Sequence, residues 1–559
     1  MDTEVLVVGA GPVGLTVAYE LRRRDIGVRV VDKAAGPATT SRATATHART
    51  LEIYDQMGTL EDLLPRGLRV GHFSMHRSGR MLARLGTDYS ELPTRFPFTL
   101  QVDQAATEEV LRQRLSALGV DVEWNARVTE LRRPPGGGAV EVRVEHAGEP
   151  VEEVTVPWLV GADGAHSFVR GRLGIPLLGE SSETWLVADA VLDVDLPKDS
   201  LHWLHTGKGT VLLVPFAAPG KWRLLDTADV DGAEDPRLVA ERFAAKIGRA
   251  LGRGVEVSPP SWSSVFTIQQ RMVKTMRSGR CFVAGDAAHV HSPASGQGLN
   301  TGIQDGYNLG WKLAQVVRGE ARQELLDSYE AERVPVGAVL LDSTRTATAL
   351  IALRNAAAPV LLPVGLGLVR RVAPLRRRIE RKILRGMSGL ALHYRDSPLT
   401  DGTPPGAGAD DVLPRPGDRV SCSAETERTS PGWQALCAEL ADPRWLLLAF
   451  TDGSTRAGAE LTRVQDDFRT AVSVRVVDPG GADPVGVAAN GVGSAPLPDP
   501  GGSLRAGLGA RAGEYLLIRP DGYLAGRGTL AGSGTLTARL AAFHLVPNGS
   551  RVRPGEAPR

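Results

Sequence analysis

Two hydrophobic patterns alternate along the chain. Thr3 to Val8 is a near-continuous apolar run, suited to a strand buried on both faces of a parallel sheet. Gly14 to Arg24 changes to helical spacing, with Leu15, Ala18, Tyr19 and Leu21 on one side. Val28 to Val31 is a second buried strand and ends at Asp32. Together these segments predict one βαβ unit. Helices are predicted at Thr50–Met57, Gln104–Leu118 and Leu299–Val317. Val122–Leu131 and Val140–Val144, joined by RRPPGGG, predict a hairpin. From Leu178 to Val273 short alternating segments such as WLVADAVLDV and GTVLLVPFA predict an inserted antiparallel sheet. RCFVAGDAAH then returns to the buried-strand style. After Ser397 a Gly/Pro/Asp-rich linker leads to a separate C-terminal domain. Its strands are RWLLLAF, SVRVVD and EYLLIRPDGYLAGR, and its closing helix lies near Leu530–Phe543.

Bulk properties narrow the class. A chain of 559 residues is too long for one core. Its 42% hydrophobic and 23% charged residues are ordinary for a globular protein. A net charge of +1 supplies no field to attract nucleic acid or an anionic membrane. Cys281, Cys422 and Cys437 form no CxxC pair, which argues against a disulfide framework and for a reducing cytoplasm. The chain starts directly on a strand and a glycine turn, so no signal peptide is expected. Ala356–Val369 is the most apolar later run, too short for a bilayer span and interrupted by two prolines. It reads as a packed helix-and-turn, or as a contact with another subunit. Arg370–Arg385 reads as a solvated basic helix face, with anion binding as the alternative. The expectation is a monomer or homodimer.

Gly9, Gly11 and Gly14 form GxGxxG between the first strand and helix, and Asp32 follows 18 residues after the last glycine. The first glycine allows the tight turn, the second lets a pyrophosphate approach, and the third lets helix and sheet pack closely. Unpaired N–H groups at the helix start favour the phosphates, and Asp32 can accept from ribose hydroxyls. The motif alone does not choose between NAD and FAD.

Two further segments do. LVGADGAHSFVRGRLGI (159–175) and CFVAGDAAHVHSPASGQGLNTGIQDGYNLGWKLA (281–314) resemble the DG and GD motifs of the FAD-dependent group A aromatic hydroxylases, typified by para-hydroxybenzoate hydroxylase. SRATATHARTLEIYDQMG, QAATEEVLRQRL and LLDSYEAERVPV match as well, in family order. The C-terminal part resembles the thioredoxin-like domain of the phenol hydroxylase and polyketide hydroxylase branches, without a CxxC. The resemblance implies an α/β fold. A Rossmann-type FAD-binding domain would take residues 1–177, lending some strands to the substrate sheet. The inserted substrate domain would be 178–273, the FAD-domain return with its helices 274–396, and the thioredoxin-like domain 397–559.

The same resemblance assigns roles. Gly9, Gly11, Pro12, Val13 and Gly14 would hold the FAD pyrophosphate, and Asp32 with Lys33 the adenosine ribose region. Arg42, Gln104 and Val128 would contact the cofactor, and Asp163 would join FAD and NADPH handling. Gly285 and Asp286 would bind the ribityl chain. Pro293 and Gly296 would wall the flavin's reacting face, and Gly298, Leu299 and Asn300 would point N–H groups at its N1/C2=O edge, where reduced flavin carries negative charge. The implied reaction is NADPH (or NADH) reduction of FAD, formation of the flavin C4a-hydroperoxide with O2, and transfer of one oxygen atom to a phenolic or polycyclic, polyketide-like aromatic. Baeyer–Villiger or ring-opening oxygenation is the alternative within the fold. A non-catalytic binder of an aromatic natural product is the alternative outside it.

Several residues keep more than one reading. His289 and His291, beside Asp286, are metal ligands, packed neighbours of the cofactor loop, or part of the substrate pocket; no metal is expected, because HVH with Asp286 supplies at most three ligands. Arg49, with Pro293, His289 and His291 a candidate for a catalytic part, reaches the flavin or the pocket, or is a structural partner of a phosphate or carboxylate. Phe96, Phe98, Trp203, Phe216 and Trp222 line the substrate pocket or fill the core. No base that deprotonates the phenol is identifiable.

Overall fold

Val5–Val8, buried along its whole length, lies inside a six-stranded sheet. The order is Arg277–Ser278, Cys281–Val283, Trp158–Gly161, Val5–Val8, Val28–Val31, Val122–Glu123. Only the outermost Arg277–Ser278 strand pairs antiparallel. The computed structural model describes residues 2–40, 43–86, 92–134, 137–207, 209–291, 296–352, 388–401, 414–451, 454–478, 495–530 and 535–549. The Ala356–Val369 and Arg370–Arg385 segments lie outside them.

The expected first helix spans Pro12–Arg22 and packs along the Gly298–Val317 helix. Gly302, Gly306 and Gly310, four residues apart, make the contact possible. A Cβ at Gly302 would sit 2.7 Å from Val13 Cγ2, and one at Gly310 2.6 Å from Glu20 Cβ. This stripe of hydrogen atoms in place of side chains brings the two helices close and buries the second from Asn300 to Val316.

The expected Val122–Leu131 strand is broken. Asn125, at φ 55°, splits it into Val122–Glu123, in the six-stranded sheet, and Ala126–Arg132. The second piece forms a three-stranded meander with Val140–His146 and Glu152–Val156.

The inserted sheet has nine strands, including His72–Arg77 and Arg80–Gly86 from earlier in the chain. Its other end is His289–Val290, paired with Trp262–Met272, so the sheet runs directly into the GD segment. The Pro236–Leu251 helix packs on one face, over Leu204, Leu213, Trp222 and Leu224. The opposite face carries Trp185, Val187, Val214, Leu225 and Ile268, flanked by half-buried Leu201, Trp203, Leu212, Trp262 and Phe266.

Under the helix-covered side, His76 and His202 meet at 3.2 Å, and His202 Nε2 donates to Pro197 O at 2.8 Å. Burial lowers both imidazoles, with His202 adding to the effect on His76, which falls to about 4. The unfolded chain, with ordinary histidines near 6.5, therefore takes up protons first as pH falls. Stability from this pair is full above about pH 6.5 and declines as pH drops toward 4. Thermal melts from pH 7.5 to 4.5 should show that decline, and His76→Asn should flatten it. Parallel slopes for both proteins would refute the assignment.

The C-terminal unit is a five-stranded sheet in the order Leu497–Pro498, Val472–Asp478, Trp445–Phe450, Glu514–Ile518, Leu524–Thr529. The first three are parallel and the last two antiparallel, as expected for a thioredoxin-like fold. It is less separate than its sequence suggests. One face forms its own core around Trp433, Leu448 and Ile518. The other joins the main core: Trp445 meets Trp311 edge-on at 5.7 Å and donates to Gln315 at 3.1 Å. The expected linker is packed where described, with Leu399 fully buried and Gly417 N–H donating to Leu524 O at 2.7 Å.

Candidate functional site

The glycine turn follows Val5–Val8. Gly9 sits at φ 106°, and a Cβ there would lie 2.4 Å from Ala162 O, in the turn before Asp163. A Cβ at Gly14 would lie 1.9 Å from Gly9 O. Gly11 differs: a Cβ would meet nothing within 4 Å. It is the N-cap of the Pro12–Arg22 helix and has no side-chain cap, so open space lies before the helix N-terminus. That combination fits a diphosphate. Asp32 braces the turn, accepting from Ala10 N–H at 2.7 Å and Ala34 N–H at 2.8 Å, with lone pairs left for hydroxyl donors. Lys33 beside it is exposed. Val13 carries the glycine turn to the GD turn, because a Cβ at Gly285 (φ 61°) would lie 2.7 Å from Val13 Cγ2.

The GD turn, Gly285–Ala287, presents exposed Asp286 at its surface. Beneath it lies Asp305, which is fully buried. Asp305 Oδ2 accepts from Gly285 N–H at 3.1 Å and meets His289 Nε2 at 2.6 Å, while Oδ1 accepts from Arg333 Nε at 2.6 Å. Burial alone would raise this carboxyl; His289 and Arg333 outweigh it and hold it near 2. The DG turn is tied in by Arg170, which donates to Ala287 O and Ala165 O, each at 3.0 Å. Asp163 accepts from Ser167 Oγ and from Val169 N–H at 3.1 Å, and so ties down the start of the short Phe168–Arg172 helix, whose N-cap is Ser167.

The Gly298–Val317 helix starts beside this turn. Asn300 clamps its neighbourhood: Oδ1 accepts from His47 N–H at 2.8 Å, and Nδ2 donates to Ala45 O and Gly296 O at 2.8 Å. Its side chain therefore shapes the loop. A Cβ at Gly296 would lie 2.9 Å from Ala45 Cβ, and one at Gly298 3.6 Å from His291 Nε2. His289 and His291 lie ring to ring at 5.5 Å, and Leu299 is half-buried against the core. Among the described residues no group of three His, Cys, Asp or Glu side chains converges as a metal site would require. Gln104 accepts from Ala43 N–H at 3.2 Å and donates to Glu108 at 2.9 Å. Val128, in the Ala126–Arg132 strand of the meander, is buried. Arg42 and Pro293 lie outside the described residues.

Arg49 and Trp222, each left with more than one reading, make structural contacts here. Arg49 lies in the first turn of the Ala48–Gln56 helix. Its guanidinium donates to Glu52 at 3.1 Å and to Asp521 O at 2.7 Å, and stacks 5.0 Å over Tyr523, at the contact with the C-terminal sheet. Trp222 points under the Pro236–Leu251 helix, 5.8 Å from His202, because strand alternation puts it opposite Arg223. Trp203 lies on the aromatic face of the sheet opposite that helix, and Phe216 stacks near Lys221 and Arg223. On the same face Arg223 makes a buried two-pronged pair with Asp189, at 2.8 and 2.9 Å. Phe96 and Phe98 meet edge-on at 6.4 Å, covered by Arg95 and Arg69 and packed on the main core.

Sequence reasoning missed Asp305, Arg333 and Arg170. All three stand inside segments that carry the family resemblance, but no spacing says that they meet. The glycine cradle, exposed Asp286 and the uncapped helix start fit FAD.

Comparison with known proteins agrees. A family model described as an FAD binding domain matches residues 2–344. The chain is 55% identical over 554 residues to a 6-methylpretetramide 4-monooxygenase of Streptomyces rimosus, covering 99% of this chain and 96% of that protein. It is 34% identical over 349 residues to pentachlorophenol 4-monooxygenase of Sphingobium chlorophenolicum, covering 61% of this chain and 64% of that one. Among solved structures, the anhydrotetracycline hydroxylase of Streptomyces rimosus aligns over 98% of this chain and 100% of its own, with TM-score 0.72 and 29% identity.

Proposed function

The chain belongs to the FAD-binding domain family of flavin-dependent monooxygenases, and from that premise we propose that it hydroxylates a fused-ring aromatic polyketide. The single observation carrying this reading is the 55% identity, across 99% of the chain, to a monooxygenase named for 6-methylpretetramide. Bound FAD supplies activation of O2 with electrons from NAD(P)H, placing one oxygen atom on the substrate and releasing the other as water.

The protein's part is position and electrostatics. Gly9, Gly11 and Gly14 receive the diphosphate, and Asp32 and Asp286 accept from hydroxyl groups. The uncapped start of the Gly298–Val317 helix favours negative charge on the group it faces. The face of the nine-stranded sheet opposite the Pro236–Leu251 helix, with half-buried Leu201, Trp203 and Leu212, offers a flat ring system an apolar bed that excludes water. In this reading residues 178–273 are the substrate domain.

The proposal includes a monomer or homodimer in the reducing cytoplasm, in keeping with three buried free thiols. Among the described residues no helix is long and apolar enough to cross a membrane.

The test is turnover of 6-methylpretetramide with NADPH under ¹⁸O2. One labelled oxygen on a ring carbon is the expected result. A lactone or cleaved ring would overturn hydroxylation, and no substrate-stimulated NADPH oxidation would overturn the substrate class.

A further inference from the structure

The turn carrying Asp286 rests on one buried ion pair. We propose that this pair, Asp305 with Arg333, positions the flavin-binding turn and tunes the reduction potential of the FAD held there. The inference concerns the cofactor and holds whatever the substrate.

Both side chains have no exposure to solvent. Asp305 accepts from Gly285 N–H, meets His289 Nε2, and accepts from Arg333 Nε. Arg333 also donates to Thr301 O at 3.2 Å and to Tyr394 OH at 3.0 Å. One carboxylate and one guanidinium thus fix three pieces of backbone: the Gly285–Ala287 turn, the His289–Val290 strand and the first turn of the Gly298–Val317 helix. The first and third of these are the segments to which the proposed function assigns the FAD. Asp305 and Arg333 act through the backbone and side chains that they hold, so they are positioning residues.

The pair is neutral as a unit. Removing the carboxylate's charge leaves the Arg333 cation, which keeps its proton in proteins, buried and uncompensated. Two-electron reduction of flavin at neutral pH places a negative charge on the ring. A nearby buried cation stabilises that form through the weakly screening interior. The potential should therefore rise.

The experiment uses the full-length protein. Asp305→Asn preserves shape, and its carbonyl oxygen can still accept from Gly285 N–H. FAD affinity, measured by titrating the apoprotein, should weaken about tenfold. The midpoint potential of the bound flavin, from dye equilibration, should move positive. The double variant D305N/R333Q removes both charges and should bring the potential back toward wild type while affinity stays weak. Arg333→Lys keeps the charge but loses the fork, so it should weaken FAD binding without moving the potential. Wild-type affinity and potential in D305N would overturn the proposal. So would affinity lost in step with melting temperature while the remaining bound flavin keeps its potential, because that makes the pair structural only.

Discussion

Glu332→Ala is expected to destabilise the protein by about 3–5 kcal/mol, because it leaves two buried cations without their shared partner. Glu332 has no solvent exposure. Its Oε2 accepts from Lys312 Nζ at 2.7 Å, Asn308 Nδ2 at 2.7 Å and Arg519 Nη2 at 2.9 Å. Its Oε1 accepts from Arg519 Nη1 at 2.6 Å and Ser397 Oγ at 2.5 Å. Burial already lowers Lys312 to about 8 even with Glu332 in place. Without the carboxylate that lysine can shed its proton, but Arg519 cannot. Guanidinium unfolding should show a much lower midpoint for E332A and an intermediate one for E332Q, which keeps the shape and an acceptor. A loss below about 1 kcal/mol in E332A would mean that the cluster is not held together by this carboxylate.

The same cluster explains why the C-terminal sheet docks as it does. Arg519 to Tyr523 form the turn between Glu514–Ile518 and Leu524–Thr529. Arg519 also pairs with Asp521, whose Oδ2 accepts from Trp311 Nε1 at 3.2 Å and Asn308 Nδ2 at 3.3 Å. Asp521 O takes the Arg49 guanidinium. One tight turn therefore touches the Ala48–Gln56, Gly298–Val317 and Asp327–Ala352 helices, the second of which begins beside the flavin turn. Arg519 also lies 4.9 Å over the Tyr394 ring, whose hydroxyl accepts from Arg333. A continuous buried path thus joins the C-terminal sheet to the GD turn.

Local physics was legible in the sequence, and long-range pairing was not. Gly9, Gly11 and Gly14 announce themselves because a tight turn, a close approach and a helix contact each need a missing side chain within six residues. Asp305 and Arg333 do not, because a carboxylate in a helix reads as solvated until a partner 28 positions away is known to be buried with it. Arg49 was legible as a charge that needs a partner. That its partner would be a turn 472 residues later was not. Alternation correctly puts neighbouring strand residues on opposite faces, but it cannot say which face meets the cofactor. Trp222 consequently lies under a helix while Trp203 lies on the opposite face. Asn125 shows the converse: one residue with positive φ ended a strand that the apolar pattern alone would continue.

Gly9→Ala and Gly11→Ala should both remove FAD, for different reasons, and their comparison separates folding from cofactor binding. At Gly9 the added Cβ would lie 2.4 Å from Ala162 O and 3.0 Å from Asp163 Cα, at a φ of 106° that alanine rarely adopts. The turn must then move away from the Trp158–Gly161 strand, to which it is joined by Ala162 N–H donating to Val8 O at 2.8 Å. Backbone displacement and conformational strain together should cost about 2–4 kcal/mol, so G9A should melt lower even as apoprotein and purify colourless. At Gly11 the Cβ meets nothing within 4 Å, and the residue has no positive φ to lose. The G11A apoprotein should therefore melt like the wild-type apoprotein. Yet that methyl group projects into the open space before the helix start, where a diphosphate needs to approach the backbone. FAD affinity should fall at least about a hundredfold, roughly 2.7 kcal/mol, read from the flavin absorbance retained on purification and from turnover with excess FAD. If G11A kept wild-type affinity, the diphosphate could not lie over this turn, and the cradle would have to be sought elsewhere. If G9A and G11A lost stability equally, the open space before the helix would not be the feature that distinguishes them.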